Sequence, residues 1–194
     1  MLDLENSFMA LENLPLATYL VLPINADMNK FENKIKKIGF PCWIKLSSSL
    51  HKTKIQAVKK CFSIEDLKKT HEEMKKRFRG GKFLIQENVE GVEIIAGLKH
   101  DKTFGKILLI GSGGSFAEIM KDIEFRVLPA NKYEIIEALQ QLKIFRILKE
   151  KNCNIKKLVK LIKKFSDLDI KEADLNPIIV NKKRAVVVDA RVSI

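Results

Sequence analysis

The chain has 194 residues, 46% of them hydrophobic, which is enough for one sizeable domain or two small packed lobes. Its apolar runs are far shorter than the ~18 residues that span a bilayer, and its acidic start lacks the basic residues of a signal peptide, so a soluble, cytoplasmic protein is expected. Three widely spaced cysteines argue against a CxxC metal site or a disulfide framework, and a net charge of +12 favours polyanionic partners such as nucleic acid or nucleotide phosphates.

The first 80 residues alternate between strand and helix patterns. The predicted elements are a strand at 16–23, a helix from Asp27 to Ile38 that Gly39 ends, a strand at 40–47 and, after a capping box of Ser63 and Asp66, a helix to about Phe78. The sequence RGG at 79–81 then interrupts the pattern.

The second half repeats the alternation. It contains three predicted strands (KFLIQENV, VEIIAGLKH and KILLIGSGG), a short helix at SFAEIMKD, a helix capped by Asn131 and Glu134 through about Lys149, a helix from Ile155 and a terminal hairpin. The lysines of the last helix are interpreted as its solvated face. With the break near residue 80, this order predicts two α/β lobes around a cleft, formed by residues 1–80 and 81–194.

The terminal hairpin is predicted to place Asn176 opposite Asp189. Its two apolar runs flank the polar turn at 181–184. If Lys182 and Lys183 form a two-residue turn, the numbers of any two residues that face each other across the hairpin add up to 365. Asp174 then also faces Arg191. Facing side chains lie ~5 Å apart, close enough for an amide and a carboxylate to share Mg²⁺. Two polar residues on a solvated strand face would give the same pattern.

Two features are compatible with a phosphate ligand. Lys45 lies inside the apolar strand PCWIKLS, where a charge is costly without a partner. In GSGG, between a strand and a helix, Gly113 and Gly114 can offer backbone N–H groups to a phosphate, and Glu118 can face the same site. Alternatively, Lys45 lies on a solvent-exposed face of its strand, and GSGG is an ordinary strand-to-helix turn that binds no ligand.

Two further segments are compatible with nucleotide chemistry. Gln86 and Glu87 end an apolar strand. The backbone there can form hydrogen bonds with the edge of an adenine, and the Glu87 carboxylate can accept a hydrogen bond from the base or the ribose. Alternatively, the strand simply becomes polar where it reaches solvent. His51 lies between lysines in the polar segment SSSLHKTK. A neutral imidazole there can attack a phosphoryl group, although lone loop histidines are usually just solvated.

Taken in order, these segments resemble one family. GFPCWIKLSSSLHKT, FLIQENVEGVEIIAGLKHDKTFGKILLIGSGGSFAEIMKDIEFRVLP and EADLNPIIVNKKRAVVVDARV closely resemble the ATP-grasp β subunit of ADP-forming acetyl-CoA synthetases. The resemblance is detailed from about residue 39 onward. It implies an α/β (α+β) ATP-grasp fold whose two lobes clamp a nucleotide, and the activity of an acid–thiol ligase, acetate:CoA ligase (ADP-forming).

The resemblance also implies roles for individual residues. Lys45 matches a phosphate-contacting lysine, and Glu87 matches the acidic residue of the purine hinge. Glu93 would lie near the ribose and phosphates. Asn176 and Asp189 match the pair that holds Mg²⁺ against the phosphates of ATP or ADP.

His51 matches the histidine that relays a phosphoryl group between two active sites. In the family, acyl-CoA and phosphate form an acyl phosphate, the phosphoryl group passes to histidine, and ADP receives it to make ATP. The matching segments cover only the nucleotide end of that scheme. The resemblance therefore implies a CoA-binding α subunit as partner, with α2β2 as the expected assembly.

Two loops depart from the family pattern. After His51 and Lys52, the segment TKIQAV replaces an acidic residue and a pair of glycines, and KEKNCN replaces a glycine-and-arginine loop near 149–153. Loss of glycine restricts a mobile loop. Two alternatives therefore stay open, a catalytically lapsed nucleotide-binding subunit with an assembly or regulatory role, and a basic RNA-associated protein.

Overall fold

The computed structural model describes residues 2–47, 57–78, 80–114 and 121–193. The chain divides into two compact units, each with its own sheet. The small unit comprises Asp3–Asn6 and Ala17–Asn88, and the large unit comprises Met1–Leu2, Ser7–Leu16 and Val89–Ile194. Across the described residues, the helices are all too short or too polar to cross a membrane. The predicted lobes, 1–80 and 81–194, stay a prediction.

The small unit contains a four-stranded antiparallel sheet in the order β1-β4-β2-β3. Its strands are β1 (Tyr19–Pro23), β2 (Cys42–Ser47), β3 (Val58–Cys61) and β4 (Lys82–Glu87). The helices of the first 80 residues are α1 (Leu4–Ala10), α2 (Glu32–Ile38, after a 3₁₀ turn at Met28–Phe31) and α3 (Ile64–Arg77). Apolar side chains of α2 and α3, including Ile35 and Leu67, pack against Ile44, Phe83 and Ile85 of the sheet.

The predicted helix ends of the small unit are confirmed with one difference. Gly39 follows α2 with φ of +85°, a backbone conformation that glycine adopts without strain. The Ser63 side chain accepts from the N–H of Asp66 at 3.2 Å, as predicted. The Asp66 carboxylate accepts from the N–H of Phe62, so the reciprocal half of the capping box is shifted by one residue.

Two of the three cysteines face each other across this sheet. Cys42 and Cys61 are register partners on β2 and β3, and both are buried free thiols. Burial raises the pKa of Cys42 to about 12, so its thiol is protonated and unreactive at neutral pH. The half-buried Cys153 is also free.

The large unit contains a six-stranded antiparallel sheet in the order β10-β8-β5-β6-β7, with β9 also paired to β8. Its strands are β5 (Val92–Asp101), β6 (Gly105–Ser112), β7 (Ile123–Val127), β8 (Glu172–Val180), β9 (Ala185–Val187) and β10 (Ala190–Ser193). Its helices are α4 (Lys132–Gln141), α5 (Ile144–Glu150) and α6 (Ile155–Ser166). Ile135, Leu139, Leu158 and Ile162 of these helices are fully buried.

The helix predicted from Asn131 to Lys149 is two helices. Asn131 and Glu134 form the predicted capping box, but α4 ends at Gln141 and Leu142 is extended. The carboxylate of Asp122 then accepts from the N–H groups of Lys143 at 2.8 Å and Ile144 at 3.0 Å, at the start of α5. The predicted length was wrong because a residue distant in sequence caps a new helix start.

The hairpin register is confirmed. Asp174 faces Arg191 and Ile179 faces Val186, so facing numbers sum to 365 on both β9 and β10. The N–H of Asn181 donates to the carbonyl of Arg184 at 2.9 Å and closes the turn.

The N-terminal segment of the large unit lies against the C-terminal strands. The N–H of Leu2 donates to Val192 at 2.8 Å, and the N–H of Val187 donates to Pro15 at 2.9 Å. Leu16 forms a parallel bridge with Val187. Residues from both ends of the sequence thus complete one sheet region.

Candidate functional site

Asn176 and Asp189 are neighbours in the large unit, as predicted. The N–H of Asn176 donates to the Asp189 carbonyl at 3.0 Å, and the N–H of Val188 donates to Pro177 at 3.1 Å. Val188 and Asp189 lie between β9 and β10, and Asn176 and Pro177 lie in β8 where its partner changes from one of these strands to the other. The Asp189 carboxylate accepts from the N–H of Ala190 at 2.9 Å, which fixes its orientation.

The donor set of this pair fits Mg²⁺. An amide oxygen and a carboxylate are hard ligands, and Mg²⁺ is commonly held by one or two protein oxygens while phosphates and waters complete the shell. Among the described residues, no group of three or more His, Cys, Asp and Glu side chains could hold a metal on its own. A magnesium ion at Asn176 and Asp189 would therefore complete its shell with waters and, in a nucleotide complex, with phosphate oxygens.

Glu93 on β5 lies directly against the GSGG segment. The N–H of Gly113 donates to the Glu93 carbonyl at 2.8 Å, and a Cβ on Gly113 would come within 2.8 Å of the Glu93 Cβ. A Cβ on Gly114 would lie 3.1 Å from Glu93 Oε2. The glycines therefore permit close packing on Glu93. The Gly113 N–H is committed to this bond, and phosphate contacts by Gly113 and Gly114 stay a prediction.

Asp122 joins the end of β6 to the start of α5. It is 7% exposed and accepts a hydrogen bond from the Ser112 hydroxyl in addition to those from the N–H groups of Lys143 and Ile144. Burial alone would raise the pKa of Asp122, but these hydrogen bonds stabilise the carboxylate and hold the pKa below its usual value. No role was predicted for Asp122 from the sequence, although it lies within the second segment that carries the family resemblance.

Asp174 is an acidic residue of β8 for which the sequence predicted only its pairing with Arg191. Its Oδ1 would lie 3.0 Å from a Cβ on Gly97, and it lines a cavity of about 170 Å³ together with Phe125. Burial raises the pKa of Asp174, with a further contribution from the Glu172 carboxylate, while the facing Arg191 opposes the shift.

In the small unit, Lys45 and Gln86 share one face of the sheet. Lys45 faces Leu84 and Gln86 faces Trp43, so the two polar residues are diagonal neighbours. Lys45 is 7% exposed and Gln86 is 1% exposed. The Gln86 Nε2 is buried and makes no hydrogen bond within the described part of the chain. The amide of Gln86 therefore has a hydrogen bond to offer to a water or a ligand.

Glu87 has a structural contact at the end of β4. Its Oε1 accepts from the N–H of Thr18 at 2.7 Å, and its own N–H donates to the Thr18 carbonyl at 3.0 Å. Nearby, the indole N–H of Trp43 donates to Asn88 at 3.0 Å. The strand end is thus held by specific hydrogen bonds, and nucleotide contact by Glu87 stays a prediction. His51 and Glu118 lie outside the described residues.

Comparison with known proteins identifies the family. Residues 14–194 match the family model described as an ATP-grasp domain. The chain belongs to the ATP-grasp family. The mixed α/β ATP-grasp fold predicted from the sequence is confirmed. The crystal structure of PH1788 from Pyrococcus horikoshii superposes on this ATP-grasp chain with a TM-score of 0.84 at 30% identity, covering 99% of this chain and 90% of that one.

Curated relatives give a more specific family. The ATP-grasp chain is 35% identical over 182 residues to the β subunit of acetate–CoA ligase (ADP-forming) II of Pyrococcus furiosus, covering 81% of this chain and 76% of that subunit. It is 33% identical over 189 residues to acetate–CoA ligase (ADP-forming) I of Archaeoglobus fulgidus, covering 87% of this chain but only 27% of that enzyme. The predicted homology to β subunits of ADP-forming acetyl-CoA synthetases is confirmed.

One related structure contains ligands. Dinucleotide-forming acetyl-CoA synthetase 1 of Ca. Korarchaeum cryptofilum, in complex with coenzyme A and Mg-AMPPCP, has a phosphohistidine segment that points towards its nucleotide-binding site. It is 26% identical to this ATP-grasp chain with a TM-score of 0.80, and the match covers 97% of this chain and 90% of that one. That relative therefore binds a magnesium nucleotide.

Proposed function

We propose that this ATP-grasp chain is the nucleotide-binding β subunit of an ADP-forming acyl-CoA synthetase. It couples cleavage of an acyl-CoA to synthesis of ATP from ADP and phosphate, through a phosphohistidine at His51. It binds ADP or ATP with Mg²⁺ and acts in the cytoplasm with a CoA-binding α subunit in an α2β2 assembly. Acetate is one candidate acid, and the α subunit selects the acyl group.

The buried amide of Gln86 carries the nucleotide part of this proposal. A buried donor without a partner costs about 1–3 kcal/mol, and Gln86 Nε2 is such a donor in the described chain. The ring nitrogens of a purine accept hydrogen bonds and would satisfy it. Because Gln86 is adjacent to Glu87 at the end of β4, the position also fits the purine hinge that the family resemblance implies.

Lys45 supports the phosphate part. A lysine ammonium with 7% exposure is poorly hydrated and gains stability from an anion close by. Phosphate oxygens supply such an anion. The oxygens of Asn176 and Asp189 would hold Mg²⁺, which offsets the remaining phosphate charge when it is bound.

The reaction requires two transfers at the proposed His51 imidazole. First, a ring nitrogen bonds to the phosphorus of the acyl phosphate, and the carboxylate leaves with the electron pair of the broken P–O bond. Second, a terminal phosphate oxygen of ADP bonds to the same phosphorus, and the imidazole leaves with the N–P electron pair. CoA leaves before these transfers, when phosphate attacks the thioester carbonyl of the acyl-CoA and forms the acyl phosphate. The acid, CoA and ATP are therefore the products, and the histidine is regenerated.

A catalytically lapsed subunit is the second candidate, and the 149–153 loop favours it. This segment is a tight connection between α5 and α6 instead of a glycine-rich loop. The N–H of Lys151 donates to Ile147 at 3.0 Å and the N–H of Cys153 donates to Leu148 at 2.8 Å, while Asn152 adopts a φ of +51°. Such a loop is suited to holding two helices together and has little freedom to move over a substrate.

Reconstitution separates these candidates. The chain is co-expressed with a CoA-binding subunit encoded by a neighbouring gene, and ATP formation is measured from ADP, phosphate, Mg²⁺ and a panel of acyl-CoAs that includes acetyl-CoA. ATP formation with at least one acyl-CoA is expected. A complex that binds Mg-ADP but makes no ATP would identify the lapsed subunit. Absence of Mg-ADP binding would overturn both candidates.

A further inference from the structure

Almost all of the net charge of this chain lies in two short segments. Residues 143–166 contain nine lysines and arginines and one acid, and residues 182–184 are all basic. Together they hold twelve of the 36 basic residues and one of the 24 acids. The rest of the chain has 24 basic and 23 acidic residues, so these 27 residues carry +11 of the net +12.

The two segments meet on one surface of the large unit. The N–H of Asn154 donates to the Asn181 carbonyl at 2.8 Å, and Lys157 Nζ donates to the Lys183 carbonyl at 2.7 Å. The hairpin turn therefore lies against the first turn of α6. We call this surface the basic face. Its exposed cations are Lys156, Lys157, Lys160, Lys164, Lys182 and Lys183.

The fold does not neutralise the centre of the basic face. Within the described chain, Lys156, Lys160 and Lys182 form no ion pair with a carboxylate. Lys156, Lys160 and Lys164 follow one another at one-turn spacing on α6, where like charges destabilise a helix. This row of cations therefore opposes folding slightly, and a bound polyanion would remove the repulsion.

The chemistry of the face selects among polyanions. The apolar residues of α6, such as Leu158, Ile162 and Phe165, are fully buried. The helix therefore offers no apolar side for membrane insertion. Protein interfaces are depleted of lysine and enriched in aromatic residues and arginine, unlike this surface. Ammonium groups spaced ~6 Å apart along a helix are compact point charges that suit a row of phosphates.

We propose that the basic face binds the sugar–phosphate backbone of a nucleic acid without sequence selectivity. This activity is independent of the proposed nucleotide site, which contains none of these lysines. The contacts are electrostatic, and binding releases counterions that were condensed on the nucleic acid. The affinity therefore falls steeply as the salt concentration rises.

A matched pair of triple variants tests the proposal on the full chain. Lys156→Gln, Lys160→Gln and Lys182→Gln remove three charges from the basic face. Lys37→Gln, Lys69→Gln and Lys76→Gln remove three exposed charges from α2 and α3 of the small unit. Both variants lower the net charge equally, so a difference between them reports position. Parental Mg-ADP affinity, and a melting temperature no lower than that of the parent chain, verify that both are folded.

Fluorescence anisotropy with a short labelled single-stranded RNA measures binding between about 50 and 200 mM salt. The basic-face variant should bind at least about tenfold more weakly at the lower salt, with a salt slope reduced by about 2, since each phosphate contact contributes ~0.7. The small-unit variant should stay within about threefold of the parent chain.

Four results would overturn the proposal. These are no RNA binding by the parent chain at low salt, equal losses in both triple variants, strong preference for one RNA sequence over another, and displacement of RNA by poly-glutamate as effectively as by unlabelled RNA at equal charge. The last result would assign the face to an acidic protein partner. Because Mg-ADP affinity is measured separately, failure here is distinguishable from failure of the proposed function.

Discussion

A hydrogen bond of 3.0 Å from the N–H of Asn176 to the carbonyl of Asp189 holds an amide and a carboxylate side by side in the terminal hairpin. If these oxygens bind Mg²⁺, Asn176→Ala and Asp189→Ala should each lower Mg-ATP affinity by at least about tenfold, because an ion–ligand contact is lost. Metal-free ATP binding should change little. Titration calorimetry with and without Mg²⁺ makes the comparison.

The control for this pair is Asp169→Ala, which removes an exposed carboxylate elsewhere in the large unit. It should leave both affinities unchanged. Retention of the full magnesium effect in both hairpin variants would show that the metal is held elsewhere.

A substitution at Gln86 should lower nucleotide affinity without lowering the stability of the folded chain. Gln86→Leu removes a buried donor that has no partner in the described chain, so the free energy of unfolding without nucleotide should be unchanged or slightly higher. Nucleotide affinity should fall by about tenfold, as for one net hydrogen bond of ~1 kcal/mol or more. Thermal melts with and without Mg-ADP measure both quantities.

Gln141→Leu makes the same chemical change at an exposed helix position and should affect neither quantity. A Gln86→Leu chain that is destabilised yet binds Mg-ADP normally would indicate that the amide serves the fold alone.

Asp122 should contribute strongly to the stability of the large unit. Asp122→Ala removes hydrogen bonds to Ser112, Lys143 and Ile144 and should lower the free energy of unfolding by about 2–3 kcal/mol. Because the pKa of Asp122 is lowered by folding, its contribution is present above the unfolded pKa of ~3.9 and is lost as pH falls through the folded value. Urea unfolding at several pH values measures it.

Asp101→Ala is the comparison for Asp122. Asp101 also accepts two backbone N–H groups, from Thr103 and Phe104, but in a surface turn. Its removal should have the smaller effect. Equal losses from the two variants would refute a special role for the buried carboxylate.

His71 should make the small unit less stable in mild acid. Its ring is fully buried against Phe83, neither ring nitrogen makes a hydrogen bond in the described chain, and burial lowers its pKa despite the nearby Glu72. The unfolded chain therefore binds the proton more readily, and stability falls as pH drops through the unfolded pKa of ~6.5. His71→Leu should flatten this dependence in melts between pH 7.5 and 5.5.

Exposed His100 gives the control, because His100→Gln should leave the pH dependence of the parent chain intact. If His71→Leu retains the full loss of stability in acid, other groups cause it.

His51 tests the relay directly. In the reconstituted complex, His51→Ala should abolish net ATP formation while Mg-ADP affinity stays nearly unchanged, since the residue acts in transfer and not in ground-state binding. Acid-labile phosphate on His51 should be found by mass spectrometry under mildly alkaline conditions. His71→Leu serves as a histidine control outside the relay. Normal ATP formation by His51→Ala would disprove the phosphohistidine.

The sequence was most informative where one short pattern determines geometry. The hairpin register follows from two apolar runs and a two-residue turn, so the positions of Asn176 and Asp189 were predictable. The split between α4 and α5 was not, because it depends on Asp122, which is distant in sequence. The partnerless Nε2 of Gln86 also could not be foreseen, since burial of a single atom depends on tertiary packing.

Strand β7 shows a second limit. Ile123, Phe125 and Val127 alternate with Glu124 and Arg126, but the apolar residues are exposed and the paired charges are partly buried. Alternation predicts a strand without stating which side faces the core. Neither β7 nor the short, lysine-containing β3 was predicted from the sequence.

The placement of the first residues beside β9 and β10 has a consequence for synthesis in the cell. Leu2 and Pro15 bond to Val192 and Val187, which emerge from the ribosome roughly 170–190 residues later, or about 9–38 s at 5–20 residues per second. Residues 17–88, by contrast, bring all four strands of their sheet within one continuous stretch. The small unit can therefore fold before β9 and β10, which pair with residues 2–16 of the large unit, have been synthesised.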